Sequence, residues 1–237
     1  MTNDTYYAKE KYSGNVATGY DERRTKKPRW AREQKVVTAY VAAIKQGSTV
    51  LDVPFGTGRY VECYLERGLK VMGADISADM IAAAAKRLSE EVFGQLDVRL
   101  ADAEHLPFDD GAADVVVCTR FIKWLPSLDI VDNVIGEFAR VCHGRMLIQV
   151  KVTADGGPNA RGPMGLTKHR LWRLRDGLRA GLSALSGRTS RKTRRYRDVD
   201  VRAIFARRGL EVIDAFDDAE ESCAIRYYVL QNRSGGG

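Results

Sequence analysis

Apolar positions along this chain change period in a regular way. Over residues 30–45 they recur at helical spacing, through Val36, Val37, Tyr40, Val41 and Ile44, and the pattern stops before Gly47. Short β-rich runs then alternate with helical stretches. Residues 48–53, 69–74, 96–101, 114–119 and 145–151 read as strands, with 57–67, 78–91 and 127–141 as helices between them. This alternation implies βαβ units and a parallel sheet covered on both faces. Right-handed crossovers make such an α/β sheet doubly wound and Rossmann-like. A helix at 199–208 and closing strands at 210–215 and 224–231, one of them antiparallel, complete a mostly parallel sheet of seven strands.

Composition narrows the class. The chain has 237 residues and is 44% apolar, which suits one globular domain with added segments. The longest apolar runs, such as Val115 to Cys118, are strand-sized and too short for a bilayer. The first residues lack a basic start followed by an apolar stretch, so the expected location is cytoplasmic. Cys63, Cys118, Cys142 and Cys223 lie far apart, with no CxxC pair and no histidine at ligand spacing. They read as small buried apolar residues, and no metal site is expected. The final SGGG, residues 233–237 with Arg233, reads as a disordered tail.

Charge singles out one segment. Between Arg161 and Arg197 twelve Lys/Arg face the single acid Asp176, a local +11 on a chain of +7, which leaves −4 elsewhere. Residues 152–197 therefore form a basic insert after the fifth strand. Within it Leu171, Leu174, Leu178, Leu182 and Leu185 make one helical stripe, with arginines around much of the remaining surface. Two readings stand side by side. One is a surface helix packed by its leucines with solvated arginines. The other is a cap for an anionic partner, whether phosphate, nucleic acid or membrane surface. Residues 188–197 contain one aromatic, Tyr196, so base-stacking platforms are not evident. That favours phosphate or a lipid headgroup over nucleic acid.

The chemistry concentrates where strands end. Val50, Leu51, Asp52 and Val53 run into Pro54, Phe55, Gly56, Thr57, Gly58 and Arg59, an apolar strand entering a glycine turn that opens a helix. Such a turn lets a ligand approach the backbone and meet free amides. Dinucleotide spacing, GxGxxG, is not met, because Val61 stands where the third glycine belongs. Asp75 follows seventeen residues after Gly58, at the end of the second strand, where a carboxylate can accept from both hydroxyls of a ribose. Ser77 already serves as the cap of the next helix.

These segments together resemble class I S-adenosylmethionine-dependent methyltransferases. Residues 52–58 are similar to that family's motif I, (D/E)xGxGxG, with Pro54 in place of the first glycine. Asp102, Ala103, Glu104, His105, Leu106, Pro107 and Phe108 match its D-A-x-x-L-P-F segment, and Asp110, Gly111 and the run from Asp114 complete the pattern. Ala17 to Arg24, with Tyr20 and Asp21, resembles the A-x-x-Y-D lid of methyltransferases related to ubiquinone and menaquinone biosynthesis. The resemblance covers residues 17–151 and makes 1–46 an N-terminal lid and helix.

It implies S-adenosylmethionine as cofactor, with the ribose on Asp75, adenine near Met80, and Asp102 and Ala103 meeting the base. Further contacts are implied for Tyr20, Asp52, Pro54, Phe55, Gly56, Thr57, Gly58, Ile76, Ser77, Glu104, Cys118 and Phe121. A sulfonium methyl is already activated, so transfer needs chiefly in-line placement and exclusion of water, and a general base is optional. Family members often carry a histidine near Lys123 or Trp124, which is absent here. Arg120 and Lys123 are candidates to hold an anionic substrate, and His169 is the histidine candidate for a base. The expected activity is methyl transfer to a small-molecule or lipid-linked, anionic acceptor. An RNA or protein methyltransferase docking through the insert, and a non-catalytic cofactor-binding subunit, are the alternatives.

Overall fold

The structure, a computed structural model, describes residues 25–153, 193–218 and 225–233. Tyr20 with the expected lid, His169 with most of the basic insert, and the terminal tail lie outside the described residues.

The alternating pattern becomes alternating structure. Helix α1 (Pro28–Ala42) leads into β1 (Thr49–Asp52), α2 (Val61–Glu66), β2 (Lys70–Asp75), α3 (Ala78–Arg87), α4 (Glu90–Phe93) and β3 (Asp97–Leu100). Then come β4 (Ala113–Cys118), a single 3-10 turn (Ile122–Trp124), α5 (Leu128–Val141) and β5 (Cys142–Thr153). The chain closes with β6 (Tyr196–Arg197), α6 (Asp198–Arg207), β7 (Leu210–Asp217) and β8 (Ile225–Asn232). The sheet order is β3-β2-β1-β4-β5-β8-β7, and the two-residue β6 pairs with the end of β5. Strands β1 to β5 run parallel to one another, while β8 runs antiparallel to both β5 and β7. The expected doubly wound, mostly parallel seven-stranded sheet is thus present.

Period-2 alternation explains how both faces are filled. Val50, Val115, Val117 and Leu147 face one way, onto Val37 and Val41 of α1 and Tyr64 of α2. Leu51, Val116, Met146 and Ile148 face the other way, onto Val131, Val134, Ile135 and Phe138 of α5 and Phe205 of α6. Serines begin three helices: the hydroxyls of Ser77, Ser89 and Ser127 accept the amides of Met80, Val92 and Ile130.

Two expected helices change shape for local reasons. The helix expected from Thr57 starts at Val61, because Gly56 and Gly58 have φ of 59° and 67°, outside helical geometry. The helix expected over 78–91 divides after Arg87. Leu88 turns extended and tucks into the core, and Ser89 caps a separate short turn.

Strand order reverses between β1 and β4, since β2 and β3 lie on one side of β1 while β4 and β5 lie on the other. In an open α/β sheet that switch point leaves a crevice at the carboxyl ends of the strands. Among the described residues no helix is long and apolar enough to cross a membrane. No group of three or more His, Cys, Asp or Glu among them could hold a metal ion.

Phe138 on α5 has no exposed surface, and its ring holds one layer against the sheet. Phe138→Ala should lower unfolding stability by about 3–5 kcal/mol through lost burial and the cavity left behind. Urea denaturation measures this, and a loss below about 1 kcal/mol would contradict the assigned packing.

Candidate active-site cleft

A cleft opens at the switch point. Its wall is built from four strand ends: Asp52 to Thr57 after β1, Asp75 and Ile76 after β2, Ala101 to Ala103 after β3, and Thr119 to Phe121 after β4. Trp30 of α1, Arg59 and Tyr60 ahead of α2, Met80 of α3 and Trp124 of the 3-10 turn complete it.

The glycine turn is held on every side. The Val53–Pro54 peptide is cis, and the Phe55 amide donates to the Ala74 carbonyl at 2.8 Å. The Phe55 ring lies over Gly73, where an added Cβ would come within 2.4 Å of it, so only glycine fits beneath that ring. Arg87 of α3 donates to the carbonyls of Thr57 and Gly58. The Gly56 amide donates to the Asp75 carboxylate at 2.7 Å, and the Ser77 amide to its other oxygen at 2.9 Å. Asp75 therefore joins the first two strand ends. Burial raises its pKa to about 6, against the lowering effect of the amides of Ser77, Gly56 and Ile76.

The loop after β3 is fixed from α5. The Leu106 amide donates to Glu137 at 2.8 Å, while Arg140 donates to the carbonyls of Leu106 and Phe108. The Asp102 carboxylate accepts the Glu104 amide at 3.0 Å, within a turn closed by the His105 amide on the Asp102 carbonyl.

Asp52 is 2% exposed, with the Tyr64 hydroxyl beside its carboxyl. Burial holds that carboxyl well above the usual carboxylate range, against the lowering effect of Tyr64. A buried carboxyl lining the cleft suits an incoming cationic group, which would favour its ionised form.

The opposite end of the cleft carries a cluster built on Glu33 of α1, which has no exposed surface. Arg29 donates to Glu33 Oε1 at 2.8 Å, and Arg59 and Arg120 donate to Oε2 at 3.1 and 3.2 Å. Gln149 of β5 donates to Glu33 at 3.2 Å and to the Tyr227 hydroxyl of β8 at 2.7 Å. Arg59 also donates to the Trp30 carbonyl and to Gln34, and its guanidinium lies 3.6 Å from the Trp30 ring centroid. Nearby, the Tyr60 hydroxyl is 3.3 Å from the Thr119 hydroxyl.

Of the residues marked in the sequence, Asp52, Pro54, Phe55, Gly56, Thr57, Asp75, Ile76, Met80, Asp102, Ala103, Arg120 and Phe121 line the cleft. Ser77 lines a neighbouring depression with Ile76 and Asp102. Four others stand behind the wall. Gly58 packs against Phe55 and Leu88, Cys118 is fully buried, Glu104 accepts from Asn133, and Lys123 is buried with its ammonium 5.7 Å from the Trp124 ring centroid. His143 bridges Gly111 and Asp114 at the other end of the sheet. Sequence reasoning missed Trp30, Glu33, Tyr60, Thr119 and Gln149, and quoted Arg59 without a role. A signal for Glu33 existed: it lies at helical spacing from Val37, Val41 and Ile44, an acid on an apolar stripe.

An open α/β sheet with a glycine turn, an acid closing β2 and a second acid after β3 defines the class I, S-adenosylmethionine-dependent methyltransferase fold. Residues 51–146 match the family model described as a methyltransferase domain, so the chain carries such a domain. A malonyl-(acyl-carrier protein) O-methyltransferase of Geobacter sulfurreducens is 29% identical over 192 residues, 79% of this chain and 64% of its own length. A demethylmenaquinone methyltransferase of Thermobifida fusca is 33% identical over 121 residues, 49% of this chain and 50% of its own length. The matched stretch is under two thirds of either relative. A magnesium protoporphyrin IX methyltransferase of Synechocystis, solved with bound S-adenosylmethionine, superposes at a TM-score of 0.65, with 16% identity, over 98% of this chain and 100% of that one.

Glu33→Ala leaves Arg59 and Arg120 without their shared carboxylate. Breaking a buried ion pair from one side should lower stability by about 3–5 kcal/mol. Chemical denaturation tests this, and an unchanged midpoint would show that the cluster does not hold α1 to the sheet.

Proposed function

We propose that this protein transfers a methyl group from S-adenosylmethionine to a small-molecule or lipid-linked acceptor that carries negative charge. The observation that carries the reading is the convergence on one cleft of the glycine turn, the buried Asp75 and Asp102 at successive strand ends. The names of the relatives, which concern a carrier-bound malonyl group and demethylmenaquinone, support acceptors of this size.

When bound, S-adenosylmethionine supplies a methyl group already activated on a sulfonium. The chain then has to bind, align and keep water out. Asp75 accepts from the ribose hydroxyls while keeping the Gly56 and Ser77 amides. Asp102 accepts from the adenine amino group, the Ala103 amide meets the ring, and Met80 packs beside it. Asp52 faces the cationic end. Phe121, Trp124 and Trp30 supply apolar wall around the transferring carbon. Among the described residues no histidine lines the cleft, so an acceptor with its own acidic or already ionised nucleophile suits it.

The basic segment is tied to the same edge. Lys151 donates to Thr193 at 2.9 Å, the Arg194 amide donates to the Lys123 carbonyl at 2.8 Å, and Val152 pairs with Tyr196. Both ends of the stretch 154–192 thus meet the sheet beside the 3-10 turn, which supports a role for its charge in acceptor capture. On this reading Tyr20 belongs to a lid that continues from α1, whose Trp30 already lines the cleft. Docking of RNA or protein through the insert is the second reading, and a steep salt dependence of acceptor use would favour it.

The test is titration of S-adenosylhomocysteine into the full chain. Asp75→Ala removes charge-assisted hydrogen bonds, and affinity should fall by roughly 2–4 kcal/mol. Unchanged affinity would sink the assignment.

The pH profile adds a second check. With Asp75 raised to about 6 when folded, from 3.8, the folded chain binds the proton more tightly, so this group weakens stability as pH rises from about 4 to 6. Ligand hydroxyls favour the ionised form. Affinity should therefore approach its full value about one unit above that pKa and decline as pH falls through it, a decline that Asp75→Asn should abolish. A flat wild-type profile between pH 5 and 7 on calorimetry would contradict the role given to Asp75, both limits being about one unit from its pKa.

A further inference from the structure

The two arginines on Glu33 are engaged in different ways. Arg59 is spent on α1: its Nε donates to Gln34, one terminal nitrogen to Glu33 and the other to the Trp30 carbonyl. Its guanidinium face is covered by Trp30. Among the described residues the Arg120 side chain makes one hydrogen bond, from one terminal nitrogen to Glu33 Oε2 at 3.2 Å. Arg120 itself lines the cleft, as do Thr119, Phe121 and Trp124.

The backbone of Arg120 is also constrained. Its φ is 62°, the only positive φ of a non-glycine residue among those described. Left-handed geometry at a side-chain-bearing residue is unfavourable and persists where neighbours enforce it. Gln149 does so here: its Oε1 accepts the Arg120 amide at 2.7 Å and its Nε2 donates to Glu33. The three residues close a ring, from the Arg120 amide through Gln149 to Glu33 and back to the Arg120 guanidinium. Glu33 is 0% and Gln149 3% exposed, so the ring is rigid and shielded from water. Its single carboxylate accepts from three guanidiniums.

We propose that Arg120 is the residue that binds an oxyanion of the acceptor, a carboxylate or phosphate, and that Glu33 and Gln149 are positioning residues that aim it. This deepens the proposed function and rests on it: Asp75 and Asp102 take the cofactor's nucleoside at the β2 and β3 ends, and Arg120 takes the acceptor at the β4 end. Guanidinium suits the task, with fixed donors matched to planar or tetrahedral oxyanions. Among the described residues the pairing with Glu33 uses one donor of the guanidinium.

The test uses the full chain saturated with S-adenosylhomocysteine, titrated by calorimetry with sodium malonate and with inorganic phosphate at constant ionic strength. Wild-type protein should bind one or both saturably. Arg120→Gly should weaken that binding about tenfold or more, the loss of one charge-assisted contact, with no loss of fold because glycine accepts this φ. Arg120→Lys should restore part of it. Gln149→Leu and Glu33→Asp should weaken it by a smaller factor, leaving S-adenosylhomocysteine affinity within about twofold, a split that general destabilisation would not produce.

Anion binding unchanged in Arg120→Gly would overturn the proposal, as would absence of saturable binding to the loaded wild-type protein. So would a fall in S-adenosylhomocysteine affinity in Arg120→Gly with that of 5′-methylthioadenosine unchanged, because the site would then belong to the amino-acid tail that the second compound lacks. If S-adenosylhomocysteine fails to bind wild-type protein, the methyl-transfer reading fails separately. The same anion titration on unloaded protein then decides the role of Arg120.

Discussion

A single buried carboxylate ties the sheet to what covers it. Glu33 sits on α1, but its partners come from the glycine turn, from the end of β4 and, through Gln149, from β5 and β8. A charge with no exposed surface is unfavourable unless hydrogen-bonded throughout. Here every partner is a donor, and two of them line the cleft. The first described helix is therefore a wall of the site. Its docking also decides where Arg59, Arg120 and Trp30 stand.

The cleft that results is electrically divided. Asp75 and Asp102 occupy the β2 and β3 side, and Arg59 and Arg120 the β4 side, with the buried Asp52 at the floor. A ligand with neutral hydroxyl and amino donors at one end, a cation in the middle and an acceptor anion beyond it would meet complementary groups along its length. Support behind the wall follows one plan. Arg87 holds the turn carbonyls, Glu137 and Arg140 hold the loop after β3, and the Glu33 ring holds the β4 end. Each device lies on an element that packs in the core, so the ligand-facing groups inherit its rigidity.

The fold was legible because its signals are local and repeated. Alternating Val, Leu and Ile in β1, β4 and β5 announced strands covered on both faces, and Ser77 and Ser127 announced helix starts. Asp75 and Asp102 were legible because each follows a strand within a recognisable segment. Glu33 and Gln149 were not, because their roles depend on pairs 116 residues apart that only the folded sheet brings together. Lys123 illustrates the opposite error of scale. It neighbours Arg120 in sequence, but the 3-10 turn directs it into the protein, toward Trp124. The break after Arg87 depended on Leu88 finding a place in the core, which helical periodicity does not encode.

On the proposed function, the divided cleft holds the nucleoside end of S-adenosylmethionine against Asp75 and Asp102. A crystal structure of the full chain with S-adenosylhomocysteine tests this. Both ribose hydroxyls should lie within hydrogen-bonding distance of the Asp75 carboxylate, with the adenine amino group at Asp102. A nucleoside bound at the Arg120 end, or outside the cleft, would contradict it.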